Sequence, residues 1–501
     1  MTLTEAPPQP APSAEPASEP VAGGSILTTA DHRRLGRLYI GFALLFLLAG
    51  GIVGGLLQVE LAGSGVQVTG NAFARLFSFH ATVTPLLFLA PLWVGVATAV
   101  VPGQIGARDL AFPRLQAFAL WSYVVGGGVV VAAYIVGSPR GAGLTLSVPV
   151  RVAGASSTAT DLWIAGLAVV SIAALVAAVN LLATIVTLRA DGMPFSSLPL
   201  FSWATFATAA VLVVAIPTFL GGLLLLYLDQ HFGGSFFAVG TRGTQQVWQH
   251  LLWLFGRPEV YLLTLPGLAV ASEIVETQTG RPLVNRNVAM GALGGFAILS
   301  LGAWAAGASA STAVVLPTYS ALTALVAAPA GVLVLLWLGT LREGRPKPNV
   351  TLFYVVAWLL LVLFGVANTI IAAAAKVNAG TAWSTGHLHV VVLGAPVLLG
   401  FAAVHHYAPR IWGRALHQGM GGLEVLLLLG GFLVMGLADY LLGYDGAPWH
   451  VADLINPKSS WLALEKLGTA GAALVLLGTL VFVANVARTV AGGRGAEEVS
   501  A

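Results

Sequence analysis

Three histidines of this sequence stand where a histidine is costly. His80 in "FSFHATVTPLLF" and the pair His387/His389 in "STGHLHVVVLG" lie inside apolar runs. Within a bilayer such positions disfavour polar side chains and by default mark function. A neutral imidazole is also the commonest protein ligand for a metal. On a helix, residues two apart point about 200° from each other, so His387 and His389 face opposite sides. They cannot jointly grip one small ion, but each can ligate a separate large planar cofactor. The alternative is two histidines hydrogen-bonded to neighbouring helices. A second stretch, "WQHLLWLFGRPEVY" (248–261), carries Arg257 in an otherwise apolar segment. Facing lipid at a span centre, an arginine costs about 2.5–3.5 kcal/mol, so Arg257 must face the bundle interior, a water-filled space or an anion. Glu259 points mostly away from it, whereas Tyr261, at i+4, shares its face. The alternative is an interior arginine–carboxylate pair that serves packing.

The elements that position these residues follow from composition. Of 501 residues, 57% are hydrophobic and 9% charged, against roughly 25% charged in a soluble domain. The chain is therefore read as all-α and integral to the membrane. Apolar runs long enough to cross a bilayer, about 20 residues each, fall near 38–57, 75–101, 115–137, 159–187, 199–228 and 247–272. A second set falls near 287–307, 318–341, 351–375, 384–409, 420–442 and 463–489. These predict a twelve-transmembrane-helix bundle over 31–490. Of 23 lysines and arginines, fifteen fall on one side of such a bundle, seven on the other and Arg257 within a span. That skew predicts a cytoplasmic N-terminus in the cell membrane.

Cysteine is absent, which excludes disulfides, thiolate metal sites, iron–sulfur clusters and thioether-attached haem. The net charge of +3 gives no support to nucleic-acid binding. Residues 1–30 are rich in Pro, Ala, Glu and Ser and read as a disordered tail, and 491–501 as a short C-terminal tail. Among the other histidines, His32, His417 and His450 are expected on solvated surface or helix ends. His231, His250, His405 and His406 are expected in structural roles, the last two bonding the final carbonyls of the tenth span.

Four segments, "ARDLAFPRLQAFALW", "LPLFSWATFATAAVLVVAIPTFLGG", "QHLLWLFGRPEVYLLTLPG" and "GHLHVVVLGAPVLLGF", occur in the order and on the spans that mark one family. Over about residues 30–455 the chain resembles subunit I of the haem–copper oxygen reductases, the cytochrome c and quinol oxidases. The resemblance implies twelve helices around two haems and a copper ion. It makes His80 and His389 the axial ligands of a low-spin haem and His387 the proximal ligand of a high-spin haem. It places Asp109 at the cytoplasmic mouth of a proton channel and Glu259 at its inner end. Tyr261 matches the tyrosine that the family joins to a copper-ligating histidine.

The departures from the family shape the expectation. The three copper-ligating histidines align with Arg257, Ala306 and Gly307. A guanidinium with a pKa above 12 cannot replace an imidazole as a copper ligand, so copper is not expected. The lysine of a second proton channel aligns with Leu333, and an arginine beside the low-spin haem with Gln58. Two arginines near the haem propionates align with Trp449 and His450, a metal-binding His–Asp with Ala379 and Gly380, and channel asparagines with Gln116 and Ala117. The reading favoured is a membrane haem protein of respiratory electron transfer that is not a conventional proton-pumping oxygen reductase. One alternative is ligand binding, or oxygen or peroxide reduction, at a single open haem on His387 with Arg257 distal. Another is a haem-free assembly or transport protein. Nitric oxide reduction, which also needs a three-histidine metal site, is disfavoured. The resemblance implies a subunit II-like partner and cytochrome c, a cupredoxin or a quinol as electron donor.

Overall fold

A computed structural model describes residues 25–63, 70–137, 139, 158–234, 236–237, 245–308, 325–377, 380–448 and 458–492. Within these, the side chains of 70–71, 245–250, 252–262 and 302–308 are not described. Most of both expected tails, and Ala379, Trp449 and His450, lie outside the described residues.

The described residues form twelve helical rods. They are α1 (His32–Leu61), α2 (Gly70–Val83, a π-helical turn Thr84–Leu89, then Ala90–Gln104), α3 (Pro113–Val136), α4 (Thr158–Thr187), α5 (Leu200–His231) and α6 (Gln245–Thr279). There follow α7 (Arg286–Ala308), α8 (Ala327–Glu343), α9 (Val350–Ala374), α10 (Trp383–His387, a π-helical turn Leu388–Gly394, then Ala395–Trp412), α11 (Gln418–Tyr444) and α12 (Ser459–Ala491). Nine helices among the described residues are long and apolar enough to cross a membrane. Extended structure among them is one isolated bridge, Thr381 to Pro448. In lipid the backbone must satisfy its own hydrogen bonds, which is why apolar runs of this length become helices.

Polar residues set several boundaries. Asp31 Oδ1 accepts from Arg34 N at 2.7 Å to start α1, and Asn349 Oδ1 accepts from Leu352 N at 3.0 Å to start α9. At the end of α10, Gly413 takes the left-handed conformation, φ 74°, which few other residues adopt without strain.

Small residues bring the rods together. A Cβ at Gly166 of α4 would lie 2.8 Å from the backbone of Val130 on α3. One at Gly471 of α12 would lie 2.5 Å from the backbone of Met435 on α11. The main apolar core runs from α1 through α2, α5, α6, α9 and α10 to α11, and Leu333, on α8, is wholly enclosed in it.

Two expectations for histidines are corrected here. His32 is not on solvated surface: it is buried at the start of α1, with Nδ1 3.2 Å from the Thr98 carbonyl oxygen. His405 does not bond the last carbonyls of α10. Its Nε2 lies 2.7 Å from Glu424 Oε2 in the core, because a buried carboxylate one helix away is the stronger partner. His417 does sit at a helix end, where its Nδ1 caps α11 by accepting from Met420 N at 3.2 Å.

Candidate functional site

His80 and His389 come from helices three hundred residues apart in sequence, and their ring centroids lie 6.4 Å apart with planes 65° from parallel. His80 stands at the end of the first piece of α2, just before the π-helical turn, and His389 lies within the corresponding turn of α10. A π-turn inserts one residue and re-aims the side chains around it, and such turns recur at functional sites. Gly394 closes the second turn, where a Cβ would meet the His389 carbonyl oxygen and the Phe432 ring.

Each imidazole is oriented by a different partner. The Nδ1 of His80 lies 2.8 Å from the Gly50 carbonyl oxygen on α1. A carbonyl only accepts, so Nδ1 carries the proton and the neutral ring keeps Nε2 as a bare lone pair. Gly54 lies under the same ring, where a Cβ would be 2.7 Å from Cε1 and 2.8 Å from Nδ1. The Nδ1 of His389 lies 3.2 Å from Asp439 Oδ2 on α11. That hydrogen bond fixes the same tautomer.

The spacing can be tested against a metal held between the rings. With metal–nitrogen bonds of about 2.0–2.1 Å and an imidazole radius of about 1.1–1.2 Å set by its bond lengths, the ring centres should lie about 6.3 Å apart. The observed 6.4 Å leaves room for one metal ion between the two imidazoles. One turn after Gly54 on α1, Gln58 is buried, and its Oε1 has no hydrogen-bond partner among the described residues.

His387 does not join this pair. Its ring stacks on Trp383, centroids 5.2 Å apart and planes 12° from parallel. His387 and His389 thus meet different neighbours, as their spacing requires. Arg257, Glu259 and Tyr261 lie on α6, and Ala306 and Gly307 near the end of α7, but their side chains fall outside the described residues.

Asp109 sits half-buried in the turn between α2 and α3, accepting from its neighbour Leu110 N at 2.8 Å. Burial pushes its carboxyl above the ordinary value, and that hydrogen bond opposes the shift. Above it, the Gln116 amide donates to Thr98 Oγ1 at 2.9 Å and accepts from Asn180 Nδ2 at 3.0 Å. All three side chains are fully enclosed. A mostly apolar cavity of about 110 Å³ follows between α1–α6, with Tyr39, Trp93, Ser171 and Thr205 in its wall and reaching α6 at Leu263 and Pro266.

Three acidic residues within the helices were not anticipated. Asp439 faces His389. Glu424 of α11 accepts from Tyr354 OH at 2.9 Å and Asn485 Nδ2 at 2.8 Å, besides its pairing with His405. Glu273 of α6 accepts from Tyr407 OH at 2.6 Å and from Phe201 N at 2.8 Å. Each interrupts an apolar run, in "GLADYLLG", "GGLEVLLLL" and "AVASEIVE", so the criterion applied to Arg257 would have found them.

Comparison with known proteins places the chain in a family. The family model described as cytochrome c and quinol oxidase polypeptide I matches residues 34–474. A subunit 1-beta sequence of the cytochrome c oxidase type from Streptomyces avermitilis is 33% identical over 477 residues, covering 94% of this chain and 84% of that one. Cytochrome c oxidase subunit 1 of Corynebacterium efficiens is 33% identical over 475 residues, covering 92% and 80%. A solved haem–copper terminal oxidase dimer superposes with a TM-score of 0.76 at 18% identity, over 93% of this chain and 85% of that one. The chain therefore belongs to the cytochrome c and quinol oxidase polypeptide I family: a multi-pass membrane protein of respiratory electron transport whose family works with haem.

Proposed function

We propose that this chain is a haem-carrying membrane subunit of respiratory electron transfer that works without the copper centre. The observation that carries the proposal is the pair His80/His389, ring centroids 6.4 Å apart, with each Nδ1 engaged and each Nε2 left as a ligand. A haem held there supplies one-electron transfer, with a potential set by its axial ligands and their hydrogen bonds. The protein's part is to hold both imidazoles in one tautomer and to enclose them in low dielectric between α1, α2, α10 and α11.

A copper centre on the side of α6 would need ligand lone pairs at the aligned positions. Arg257, Ala306 and Gly307 supply no nitrogen or sulfur lone pair able to ligate it. Arg257 instead supplies a fixed positive charge. We assign to it the pairing of an anionic group on the side of α6 where a metal ion would otherwise stand, either ionised Tyr261 or a propionate. Proton pumping is not part of this reading. The Gln116–Thr98–Asn180 network commits its amides to one another, the cavity beyond is mostly apolar, and Leu333 brings no proton carrier to α8. The basic residues favour an N-terminus on the cytoplasmic side of the plasma membrane, and the family favours a subunit II-like partner delivering electrons from cytochrome c, a cupredoxin or a quinol.

The test is an optical spectrum of the purified, dithionite-reduced protein before and after carbon monoxide, with copper measured by elemental analysis. A low-spin haem band that carbon monoxide leaves unchanged, with no stoichiometric copper, is expected. A component shifted by carbon monoxide would favour the second reading, an open haem on His387 with Arg257 distal. Stoichiometric copper, or no haem at all, would overturn the proposal.

A further inference from the structure

The two histidines of the pair are backed by unlike groups: a neutral backbone carbonyl behind His80 and a carboxyl behind His389. Asp439 is 4% exposed, in the last turns of an apolar helix. Burying a carboxyl there is costly unless it is bonded, so its presence needs a reason. Packing supplies one for the neighbouring Glu424, which ties α9, α10, α11 and α12 together through Tyr354, His405 and Asn485. Asp439 is placed differently, with Oδ2 directed at the imidazole of the pair. The backbone is arranged to let it reach. A Cβ on Gly386 would come within 3.0 Å of the Asp439 Cβ, and one on Gly443 within 2.3 Å of the Trp383 nitrogen. Bare glycines at both contacts thus let α10 and α11 approach closely in the turns next to the bond.

We infer that Asp439 is a positioning residue for His389. It holds the ring through Nδ1, makes it a stronger donor than His80, and so biases the bound haem toward its oxidised form. This rests on the reading that His80 and His389 hold a haem. A carboxylate draws the Nδ1 proton more strongly than a carbonyl does and raises ligand basicity. In a low-dielectric interior it also favours the redox state with the extra positive charge. The site is therefore asymmetric by construction: α2 presents a ring of ordinary basicity and α11 strengthens the opposite one.

The experiment compares wild type, Asp439→Asn and Asp439→Leu by spectroelectrochemical titration, by electron paramagnetic resonance of the oxidised haem, and by haem-to-protein ratio. Asp439→Asn is expected to keep the haem, raise its midpoint potential and move the resonance g-values. Asp439→Leu is expected to hold haem about 10–100-fold more weakly. A midpoint and g-values unchanged in Asp439→Asn, beside a normal low-spin haem in wild type, would overturn this inference and leave the haem reading intact. Absence of low-spin haem from wild type would instead overturn the reading beneath it. If the variants do not fold, the wild-type redox infrared difference spectrum decides. An aspartate carboxylate band that shifts on reduction and moves with carbon-13 aspartate labelling supports the inference, and its absence overturns it.

Discussion

Gly54→Ala is the smallest change that should dismantle the candidate site without unfolding the protein. The added Cβ would stand 2.7 Å from His80 Cε1 and 2.8 Å from Nδ1, whereas carbon contacts settle at about 3.5–4.0 Å. The ring must retreat by roughly 0.8 Å, the difference between 3.5 Å and the 2.7 Å available. It cannot do so freely, because Nδ1 is held by the Gly50 carbonyl oxygen at 2.8 Å. Overpacking costs about 1–3 kcal/mol, while replacing a helical glycine by alanine returns about 1 kcal/mol of propensity. The net change in stability is then about 0–2 kcal/mol. Metal–nitrogen distances tolerate only about 0.2 Å, so the spacing suffers far more than the fold. Gly55→Ala on the same helix is the control, since its Cβ would touch only the Leu476 Cδ2 atom at 3.9 Å. The assay is the reduced optical spectrum beside a thermal melt. Gly54→Ala should lose the low-spin band with a melting point within a few degrees of wild type, and Gly55→Ala should keep both. A wild-type spectrum in Gly54→Ala would refute the placement of His80.

Glu424→Leu removes at once the partner of Tyr354 OH, of His405 Nε2 and of one of the two Asn485 Nδ2 protons, the other staying on the His417 carbonyl oxygen. At about 0.6 to 1.7 kcal/mol per interhelical bond in a membrane protein, the loss is about 2–5 kcal/mol. The melt should be followed by the fluorescence of the 13 tryptophans, because thiol dyes have no cysteine to label; an unchanged melting point would contradict the network. At the far end of α11, hydrogen bonds from Lys458 Nζ (2.8 Å) and Trp461 Nε1 (2.6 Å) hold the Asp445 carboxyl below its usual value. A lowered folded-state pKa gives stability that is present above the unfolded value of about 3.9 and lost as pH falls through the folded one. The melting-point gap between wild type and Asp445→Asn should therefore be full near neutral pH and close progressively below about pH 4; a gap that ignores pH would exclude the ion pair as its cause.

Length and polarity made the rods legible, and spacing alone separated His387 from His389. What sequence could not carry was phase. The π-turns at Thr84–Leu89 and Leu388–Gly394 each insert a residue into a run that is apolar on every side, so no hydrophobic periodicity is broken where they occur. The partner of His389 was hidden for a related reason. Asp439 lies fifty residues on, and only the glycine-lined approach of α10 and α11 brings the two together. His32 and His405 were misread because proximity to a helix end was taken for proximity to solvent or terminal carbonyls. In this bundle the helix ends pack against neighbouring helices, and both histidines found partners there.

The distribution of departures bears on how the chain works. Random loss of function would strike ligand positions and their supports alike. Here His80 keeps an orienting carbonyl, a clear face at Gly54 and a neighbouring imidazole, while His389 has a carboxyl behind it. Changes fall where a metal ion or moving protons would have needed lone pairs, at Arg257, Ala306 and Gly307, at Leu333 on α8, and at Gln116 bonded to Thr98 and Asn180. They also fall at the positions aligned around the pair, Gln58, Trp449 and His450, though not at its ligands. A site for one electron needs its ligands fixed and water excluded, whereas oxygen chemistry also needs protons delivered and a second metal. On the proposed reading, the supported His80/His389 pair meets the first requirement, and the aligned residues offer little for the second. The same reading gives Arg257 a use, since a cation in an apolar span left without an anion would be replaced by leucine at less cost than it is kept.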